Sequence, residues 1–563
     1  MSIIDSRFRG NDKDRGNDKD RGNDKDRGND KDRGNDKDRG NDRDRGNDRP
    51  LKFGTSGIRG LVSDMTDMEV YINVKGYLRF LKEHPFPTPG IKKDIALGGD
   101  LRASTARIMM SVFKAACDEG YKVDFCGRVP SPALFLYAAS RSMPSVMVTG
   151  SHIPEDRNGI KFTKASGEVL KEDEFGILKN IALVRSEESG KPEEESLFDK
   201  NGNFKKKVEL PEARYEKTVI NEYVSRYTEV FAMEPLKSKK IVLYQHSAVG
   251  RDIVLEIFKK LGAEVIAVER SELFVPVDTE KISQKTRALL KEKAEKYKPF
   301  AVISMDGDSD RPLLADEKGE FLPGDKLGGL VSLFLNPDFA AIPISANDAV
   351  VSALVCKKIK IKQTKIGSPY VIKAMNDELK INPGSKVVSW ESNGGFLLGS
   401  DWKIEGHLLK ALPTRDAVLP IIAVLVLAIQ NGKSVSELIK TELPSRYTHA
   451  DVVDNKAKGC AEYTPEMGKV IVDMFSVGES VKENLKKYFT EKEGFCDVSS
   501  VNTIDGVRVV FANNDVIHLR PSGNAPEFRI YATADTMKRA EEIVEKGKQI
   551  FPRMISGDDG KNG

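Results

Sequence analysis

The sequence lacks the features of a secreted, disulfide-stapled or zinc-dependent protein. Its five cysteines are widely spaced, odd in number and without a CxxC pair, which excludes a disulfide framework and favours a reduced cytoplasmic setting. The first ten residues, MSIIDSRFRG, lead into a charged repeat, so we expect no secretory signal. The longest apolar run, 417–430, is shorter than the roughly 20 residues of a membrane span. It contains Pro420, and we expect a buried helix and no membrane partner.

A strong net charge is also missing. The chain has 89 Lys and Arg against 86 Asp and Glu, which leaves a formal charge of +3. This balance gives no general attraction to nucleic acid or to an anionic membrane, so we expect no nucleic-acid partner. The GxxxxGK[ST] motif of P-loop nucleotide-binding proteins is absent too. Any recognition of phosphate must therefore come from local clusters of side chains.

The N-terminal region repeats the hexapeptide GNDKDR from Gly10 onward and ends at Pro50. A GNDKDR copy carries two Asp, one Lys and one Arg, so its charges cancel, and it contains no apolar residue for a core. Residues 1–50 are therefore predicted to form a disordered tail, with a nucleic-acid-binding arm as the less favoured alternative.

After residue 50, short apolar strands alternate with amphipathic helices in three successive regions, at 95–149, 241–305 and 340–431. This alternation predicts mixed or parallel sheets covered by helices. The region after 445 instead has several strands and a final helix, at 535–550. We predict an α/β fold of three similar domains with mixed sheets plus a smaller C-terminal α+β domain. The predicted domain ranges are 51–205, 206–318, 319–440 and 441–563, with a polar connection at 186–207.

Four polar stretches are candidates for chemistry. Asp306, Asp308 and Asp310 alternate directly after a predicted strand, and converging carboxylates suit Mg²⁺, although an acidic surface turn is an equal alternative. An EF-hand is disfavoured, because Arg311 occupies its sixth position, where the motif has Gly. The other three stretches are TGSHIPEDRNGIK (149–161), WESNGGFLLGSD (390–401) and RPSGNAPEFRIY (520–531).

Each of these three stretches has a structural alternative. RPSGNAPEFRIY combines guanidinium donors with a tight turn, which is the chemistry of a phosphate cradle, but it could also be a capping turn. Glu391 and Asn393 could bind sugar hydroxyls on a glycine-rich loop. Ser151 could be a nucleophile or part of a polar turn, and its adjacency to His152 excludes a Ser-His-acid triad.

Taken together and in this order, the motifs resemble the α-D-phosphohexomutase family over residues 51–550. The family has a serine loop like TASHNPxxNGxK, a metal loop DGDxDR, a sugar loop like GExSGH and a phosphate loop like RPSGTEPxxRxY. GTSGIRG (54–60) and GGDLRAST (98–105) are similar to two further family stretches. Four spaced motifs in a fixed order are far more specific than any one of them.

The resemblance implies an active site in a central cleft between the four domains. Ser151 would be phosphorylated, with Mg²⁺ held by Asp306, Asp308, Asp310 and a phosphoserine oxygen. His152 and Lys161 would transfer a proton or orient the reacting groups, and Arg59 and Arg311 would support the phosphoryl groups. Glu391 and Asn393 would bind the sugar. The residues implied for the second phosphate are Arg520, Ser522, Gly523, Asn524 and Arg529.

The implied reaction converts a hexose 1-phosphate into its 6-phosphate through a bisphosphorylated sugar, with glucose or mannose 1,6-bisphosphate as activator. The TGSHIP and ESNGGF variants favour mannose. Phosphoglucomutase or dual specificity is the second choice, and phosphoglucosamine mutase or a non-catalytic sugar-phosphate binder is weaker. An aspartyl phosphatase is disfavoured, because its DxD motif belongs on the first strand. We expect a monomer or a dimer.

The chain departs from the family pattern at several positions. Gly150 and Ile153 stand where Ala and Asn are usual in the serine loop. Asn393 and Gly395 replace Ser and His in the sugar loop. Further departures lie at Asn524, where Thr is usual, and at Gly367 and Ser368, in place of a Gly-His pair.

Overall fold

The computed structural model describes residues 51–54, 57–84, 93–453, 463–476, 481–522 and 527–556. The predicted tail at 1–50 and two predicted phosphate-loop residues, Gly523 and Asn524, lie outside the described residues.

The first domain contains a seven-stranded sheet with the order β1-β2-β6-β5-β3-β4, and β7 pairs with β6. Its strands are β1 Lys52–Phe53, β2 Gly57–Leu61, β3 Asp94–Gly99, β4 Lys122–Arg128, β5 Ser145–Val148, β6 Arg157–Lys164 and β7 Gly167–Glu168. Its helices are α1 Asp67–Glu83, α2 Thr105–Asp118, α3 Ser131–Ala139 and α4 Lys171–Ser189. The central strand β5, with the sequence SVMV, is buried throughout, as expected for a strand covered on both faces.

The second domain contains a four-stranded sheet with the order β11-β10-β8-β9. Its strands are β8 Lys240–His246, β9 Glu264–Arg270, β10 Ala301–Met305 and β11 Pro312–Ala315. Its helices are α5 Glu216–Thr228, α6 Arg251–Lys260 and α7 Gln284–Tyr297. The strand β10 is again buried along its whole length, and the three aspartates follow it directly.

The third domain contains a five-stranded sheet with the order β13-β12-β14-β15-β18 and a separate two-stranded pair, β16-β17. Its strands are β12 Phe339–Pro343, β13 Lys360–Thr364, β14 Val387–Trp390, β15 Phe396–Leu398, β16 Trp402–Ile404, β17 His407–Leu409 and β18 Leu412–Asp416. Its helices are α8 Gly324–Leu335, α9 Asp348–Cys356, α10 Ser368–Ile381, α11 Val418–Gln430 and α12 Val435–Glu442.

The apolar run predicted as a buried helix forms α11, in which almost every residue is buried. Across the described residues, no single helix is long and apolar enough to cross a membrane. Only the two helices α11 and α12 taken together are long and apolar enough for that, and this pair is bent by 86°.

The first three domains share one topology. Each of these domains contains three successive strands that are connected by helices. The third of them pairs in parallel with the first, and antiparallel with the next strand along the chain. The strand β5 pairs in this way with β3 and β6, β10 with β8 and β11, and β14 with β12 and β15. The loop that leaves this third strand therefore lies at the carboxyl end of the parallel strands, where open α/β sheets place their ligands.

The fourth domain is an antiparallel sheet with the order β19-β23-β22-β21-β20. Its strands are β19 Tyr447–Val453, β20 Val498–Asn502, β21 Val507–Phe511, β22 Val516–Pro521 and β23 Phe528–Ala534, and its helices are α13 Pro465–Ser476, α14 Val481–Tyr488 and α15 Met537–Ser556. Three similar α/β domains followed by this α+β domain confirm the predicted fold class.

The largest hydrophobic core crosses all of the first three domains. It contains Leu134, Leu243 and Trp390, one from each, so the loops at the strand ends are held by one shared core. The fourth domain has a core of its own. Its described contacts with the third domain include polar ones: Asn347 donates to Thr448 Oγ1 at 3.0 Å, and the amide N–H of Ile366 donates to Asp505 Oδ2 at 2.9 Å.

Candidate active site

The loops that follow β5, β10 and β14 meet at one place. Ser151 Oγ donates a hydrogen bond to Asp306 Oδ2, which joins the first domain to the second. Arg415 Nε donates to Asp310 Oδ2 at 3.0 Å, and its Nη1 donates to Glu391 Oε2 at 3.1 Å, which joins the third domain to the second. The structure thus brings together the serine loop (149–157), the metal loop (306–311) and the sugar loop (391–395).

Ser151 is fully buried and has a left-handed backbone conformation, with φ of 54°. This conformation costs a non-glycine residue about 1–3 kcal/mol, and it persists only where the surroundings impose it. The backbone N–H of Ser151 donates to Thr149 Oγ1 at 2.8 Å, while its hydroxyl points to Asp306. The strained residue is therefore the one whose hydroxyl faces the carboxylates.

The three aspartates converge as the sequence suggested, through a tight turn. Oxygen atoms of Asp306, Asp308 and Asp310 lie within 4.8 Å of one another, and all three residues are buried. The turn places Ser309 at a φ of 62°. It lets Asp306 Oδ1 accept the N–H groups of Asp310 and Arg311 at 3.1 and 3.2 Å.

The electrostatics of this cluster fit a cation. Burial raises the pKa of Asp306 well above its ordinary value, and the charges of Asp308 and Asp310 raise it further. Among the described residues, the buried Oδ1 atoms of Asp308 and Asp310 have no hydrogen-bond partner. Buried carboxylate oxygens without donors are unusual, and oxygen-only clusters of this kind suit Mg²⁺. The residues present therefore fit a divalent metal.

Lys161 lies on β6 and contacts Oδ2 of both Asp308 and Asp310. Burial opposes its charge, but the two carboxylates outweigh that effect, so its pKa is raised. Lys161 is thus a cation held at the carboxylate cluster by the strand that returns from the serine loop.

His152 and Arg311 form a second contact between the serine loop and the metal loop. Arg311 Nη1 donates to His152 Nδ1 at 3.0 Å, so the ring proton resides on Nε2. Burial, followed by the charge of Arg311, lowers the pKa of His152 to about 3. The imidazole is therefore neutral near pH 7, with Ser151 Oγ at 3.3 Å from Nδ1.

Arg59 lies on β2, opposite Gly159 of β6. Arg59 is exposed; desolvation of its guanidinium beside the cluster, followed by the charges of Arg311 and Arg415, lowers its pKa, while Asp308 and Asp310 act in the opposite direction. Arg59 therefore adds positive charge at the same cluster.

The sequence reasoning missed Arg415, a buried residue of β18 that joins the metal and sugar loops. Arg415 also explains the departure at Gly395, because a Cβ added there would lie 2.6 Å from Arg415 Cδ.

Asn393, in the sugar loop, is buried as well. Its Oδ1 accepts the N–H of Gly395 at 3.0 Å, and its carbonyl accepts from Thr279 Oγ1 at 2.7 Å.

The phosphate loop (520–529) places Arg520 and Arg529 directly opposite each other on β22 and β23. Like charges at such a pair are unfavourable unless anions compensate them. Arg520 Nε donates to Asp505 Oδ2 at 2.8 Å, and Arg529 Nη2 donates to Glu527 Oε1 at 2.7 Å. The backbone N–H of Ser522 donates to the Glu527 carbonyl at 2.9 Å. Glu280 of the second domain interacts electrostatically with Arg529 of this loop and with Arg311 of the metal loop.

Comparison with known families identifies the class of this fold and site. Four models of the phosphoglucomutase/phosphomannomutase family match in order: the alpha/beta/alpha domains I, II and III at residues 50–187, 221–319 and 323–446, and the C-terminal domain at 453–547. The chain therefore belongs to this family, the α-D-phosphohexomutases, which confirms the resemblance seen in the motifs.

Individual relatives are similar over nearly the whole chain. A phosphomannomutase of Salmonella muenchen is 39% identical over 496 residues, which cover 88% of this chain and 94% of that protein. A phosphomannomutase of Sinorhizobium fredii is 35% identical over 502 residues, which cover 89% of this chain and 98% of that protein. The fold is similar to the crystal structure of a phosphoglucomutase/phosphomannomutase family protein from Burkholderia thailandensis, with a TM-score of 0.65, 17% identity, and coverage of 90% of this chain and 97% of that one.

Proposed function

We propose that this protein interconverts mannose 1-phosphate and mannose 6-phosphate through a phosphorylated Ser151 and a bisphosphorylated sugar. The observation that carries the proposal is the buried Ser151 hydroxyl hydrogen-bonded to Asp306 within the three-carboxylate cluster. The names of the two phosphomannomutase relatives support mannose as the sugar.

In the proposed reaction, the bond between phosphorus and Ser151 Oγ breaks while a sugar hydroxyl forms a new bond to phosphorus, and the proton lost by the sugar hydroxyl is balanced by the one gained at Ser151 Oγ. Mg²⁺ held by Asp306, Asp308 and Asp310, with a phosphoserine oxygen, would supply charge neutralisation, the main demand of such transfers. The bisphosphorylated sugar then reorients in the site and returns its other phosphoryl group to Ser151, which regenerates the phosphorylated enzyme.

The protonation states separate the roles of His152 and Lys161. His152 is neutral and its Nδ1 already accepts from Arg311, so we assign it the orientation of the serine hydroxyl. Lys161 is protonated beside the metal loop, so we assign it proton donation to the oxygen that leaves phosphorus, and the proton of the attacking hydroxyl then replaces the one donated. Arg59 and Arg311 would stabilise the phosphoryl group in transit.

The remaining groups would hold the substrate. Glu391 and Asn393 would bind sugar hydroxyls in a cleft between the four domains. The residues assigned to the second phosphate are Arg520, Ser522, Gly523, Asn524 and Arg529. The facing arginines of β22 and β23 support this assignment, because two neighbouring guanidinium groups offer planar sets of donors that match phosphate oxygens.

Phosphoglucomutase or dual-specificity activity is the second candidate, because the matching family models are described for both enzymes. A 1,6-bisphosphate activator, a cytoplasmic location and a monomeric or dimeric state remain predictions. So do the domain boundaries at 205/206, 318/319 and 440/441.

The test is a coupled assay with Mg²⁺ and a catalytic amount of glucose 1,6-bisphosphate. The native protein should convert mannose 1-phosphate into mannose 6-phosphate, and Ser151→Ala should abolish this activity. Ser140→Ala, which alters an exposed serine at the end of α3, is the matched control. Inactivity of the native protein on mannose, glucose and glucosamine 1-phosphates alike would overturn the proposal, and the ranking of the three rates tests the choice of sugar.

A further inference from the structure

A buried polar cluster lies directly behind the serine loop and has no part in the proposed reaction. It is built from Asp100 and Arg102, which belong to the stretch GGDLRAST between β3 and α2. Both side chains are completely buried. A buried arginine is expensive to desolvate and is retained only with several partners, so its contacts indicate what it does.

Arg102 binds the backbone of the serine loop at four points. Its Nη1 donates to the carbonyls of Pro154 at 2.7 Å and Arg157 at 3.1 Å. Its Nη2 donates to the carbonyls of Ser151 at 3.0 Å and Ile153 at 2.5 Å. One planar guanidinium thus holds the loop from Ser151 to Arg157.

Asp100 holds the beginning of the same loop and the arginine itself. Its Oδ2 accepts from Thr149 Oγ1 at 2.8 Å and from the N–H of Gly150 at 3.3 Å, and it lies 3.3 Å from Arg102 Nε. Its Oδ1 accepts from Thr105 Oγ1 at 2.7 Å. The pair therefore spans the loop from the end of β5 to Arg157.

Two further contacts fix the guanidinium in place. Its central carbon lies 3.8 Å from the centre of the Phe274 ring, which belongs to the second domain. A Cβ added at Gly150 would lie 2.6 Å from the same carbon. The departure at Gly150 therefore makes room for Arg102, just as Gly395 makes room for Arg415.

We propose that Arg102 is a positioning residue that holds Ser151 in its left-handed conformation with the hydroxyl directed at Asp306. The inference rests on the proposed phosphoserine function and specifies how the serine is presented. Arginine suits this task because its five donors form a rigid planar fork, whereas a lysine ammonium is a point donor on a flexible chain. A displacement of about 1 Å at a reacting group can lower a rate by about 100-fold.

The test compares Arg102→Lys and Gly150→Ala with the native protein. The readouts are single-turnover phosphorylation of Ser151 by glucose 1,6-bisphosphate, followed by intact mass, and the kcat and KM for mannose 1-phosphate. We expect both variants to remain folded and to lose about 100-fold in phosphorylation rate and kcat, with KM within about twofold of native because Arg102 does not touch substrate. Arg226→Lys, at another buried arginine that donates to a carbonyl, is the control and should keep the native rate.

A third variant, Arg102→Gly, adds a readout that general damage to the fold would not produce. Guanidinium ion at low millimolar concentration should restore part of its phosphorylation rate, while methylammonium should not. A native rate in Arg102→Lys, or equal losses in kcat and in binding, would overturn the inference, as would failure of both Arg102→Lys and Gly150→Ala to fold. If the native protein itself is not phosphorylated, the proposed function fails instead.

Discussion

Replacement of Gly395 by alanine should destabilise the third domain through a collision with one identified side chain. The new Cβ would lie 2.6 Å from Arg415 Cδ and 2.7 Å from its Cγ, atoms near the base of a buried side chain that is anchored on Asp310 and Glu391. Arg415 cannot swing away without breaking these hydrogen bonds. Overpacking of this kind costs about 1–3 kcal/mol, and we expect Gly395→Ala to lower the free energy of unfolding by that amount.

The effect should depend on Arg415. Arg415→Ala alone removes the guanidinium from two buried carboxylates, of which Asp310 keeps its contact with Lys161, and should cost about 3 kcal/mol. Added to Arg415→Ala, however, Gly395→Ala should cost less than about 1 kcal/mol, because most of the colliding atoms are gone. The double variant is therefore expected to be more stable than the sum of the two single losses predicts.

The two tryptophans, Trp390 and Trp402, both lie in the third domain, so urea unfolding followed by tryptophan fluorescence reports on this region. Gly384→Ala is the matched control, since a Cβ added there meets nothing within 4 Å, and it should leave the transition unchanged. If the losses of Gly395→Ala and Arg415→Ala add within about 0.5 kcal/mol, the proposed collision is wrong.

Three other measurements test the structure: one at His246, the last residue of β8, one at the metal loop and one at Arg520. Burial lowers the pKa of His246 from 6.5 to about 4. As the pH falls, the unfolded chain therefore takes up the imidazole proton before the folded chain does, and the free energy of unfolding should fall by about 3 kcal/mol between pH 6.5 and pH 4. His246→Gln should reduce this fall. Mg²⁺ at 100 times its Kd should stabilise the native protein by about 2.7 kcal/mol, and an equal thermal shift in Asp308→Asn would argue against the metal site. Asp505→Ala removes the carboxylate that holds Arg520 and should raise KM for mannose 1-phosphate more than it lowers kcat, whereas an unchanged KM would show that Asp505 does not position Arg520.

Much of the fold could be predicted from the sequence, because buried strands such as β5 and β10 are short continuous apolar runs between polar turns. The helix α4 shows where this reasoning failed. Its last turn lies within the polar stretch 186–207 that was predicted to be a connection, because residues 186–189, with the sequence SEES, are all polar. Composition alone does not indicate where such helices end.

The site could be predicted where a motif carried the chemistry, as for Ser151 and the three aspartates. Arg102 and Arg415 could not be recognised, since a single arginine has no distinctive spacing and its importance depends on which distant carbonyls or carboxylates it meets. Gly150 and Gly395 were recognised in the sequence as departures from the family pattern. The reason for each became clear only from the structure, where each glycine packs against a buried arginine side chain. The carbonyl of Ile153 binds Arg102, while nothing in the structure explains its isoleucine side chain.

The repeated position of the three loops has a consequence for how this enzyme can diversify. Each loop links two antiparallel neighbours, β5 with β6, β10 with β11, and β14 with β15, so its length can change without breaking a parallel crossover or the shared core. The arginines limit this freedom. A serine loop transplanted from a relative with alanine at position 150 would collide with Arg102, and a sugar loop with any side chain at 395 would collide with Arg415. The unit that can be exchanged between relatives is therefore a loop together with its arginine.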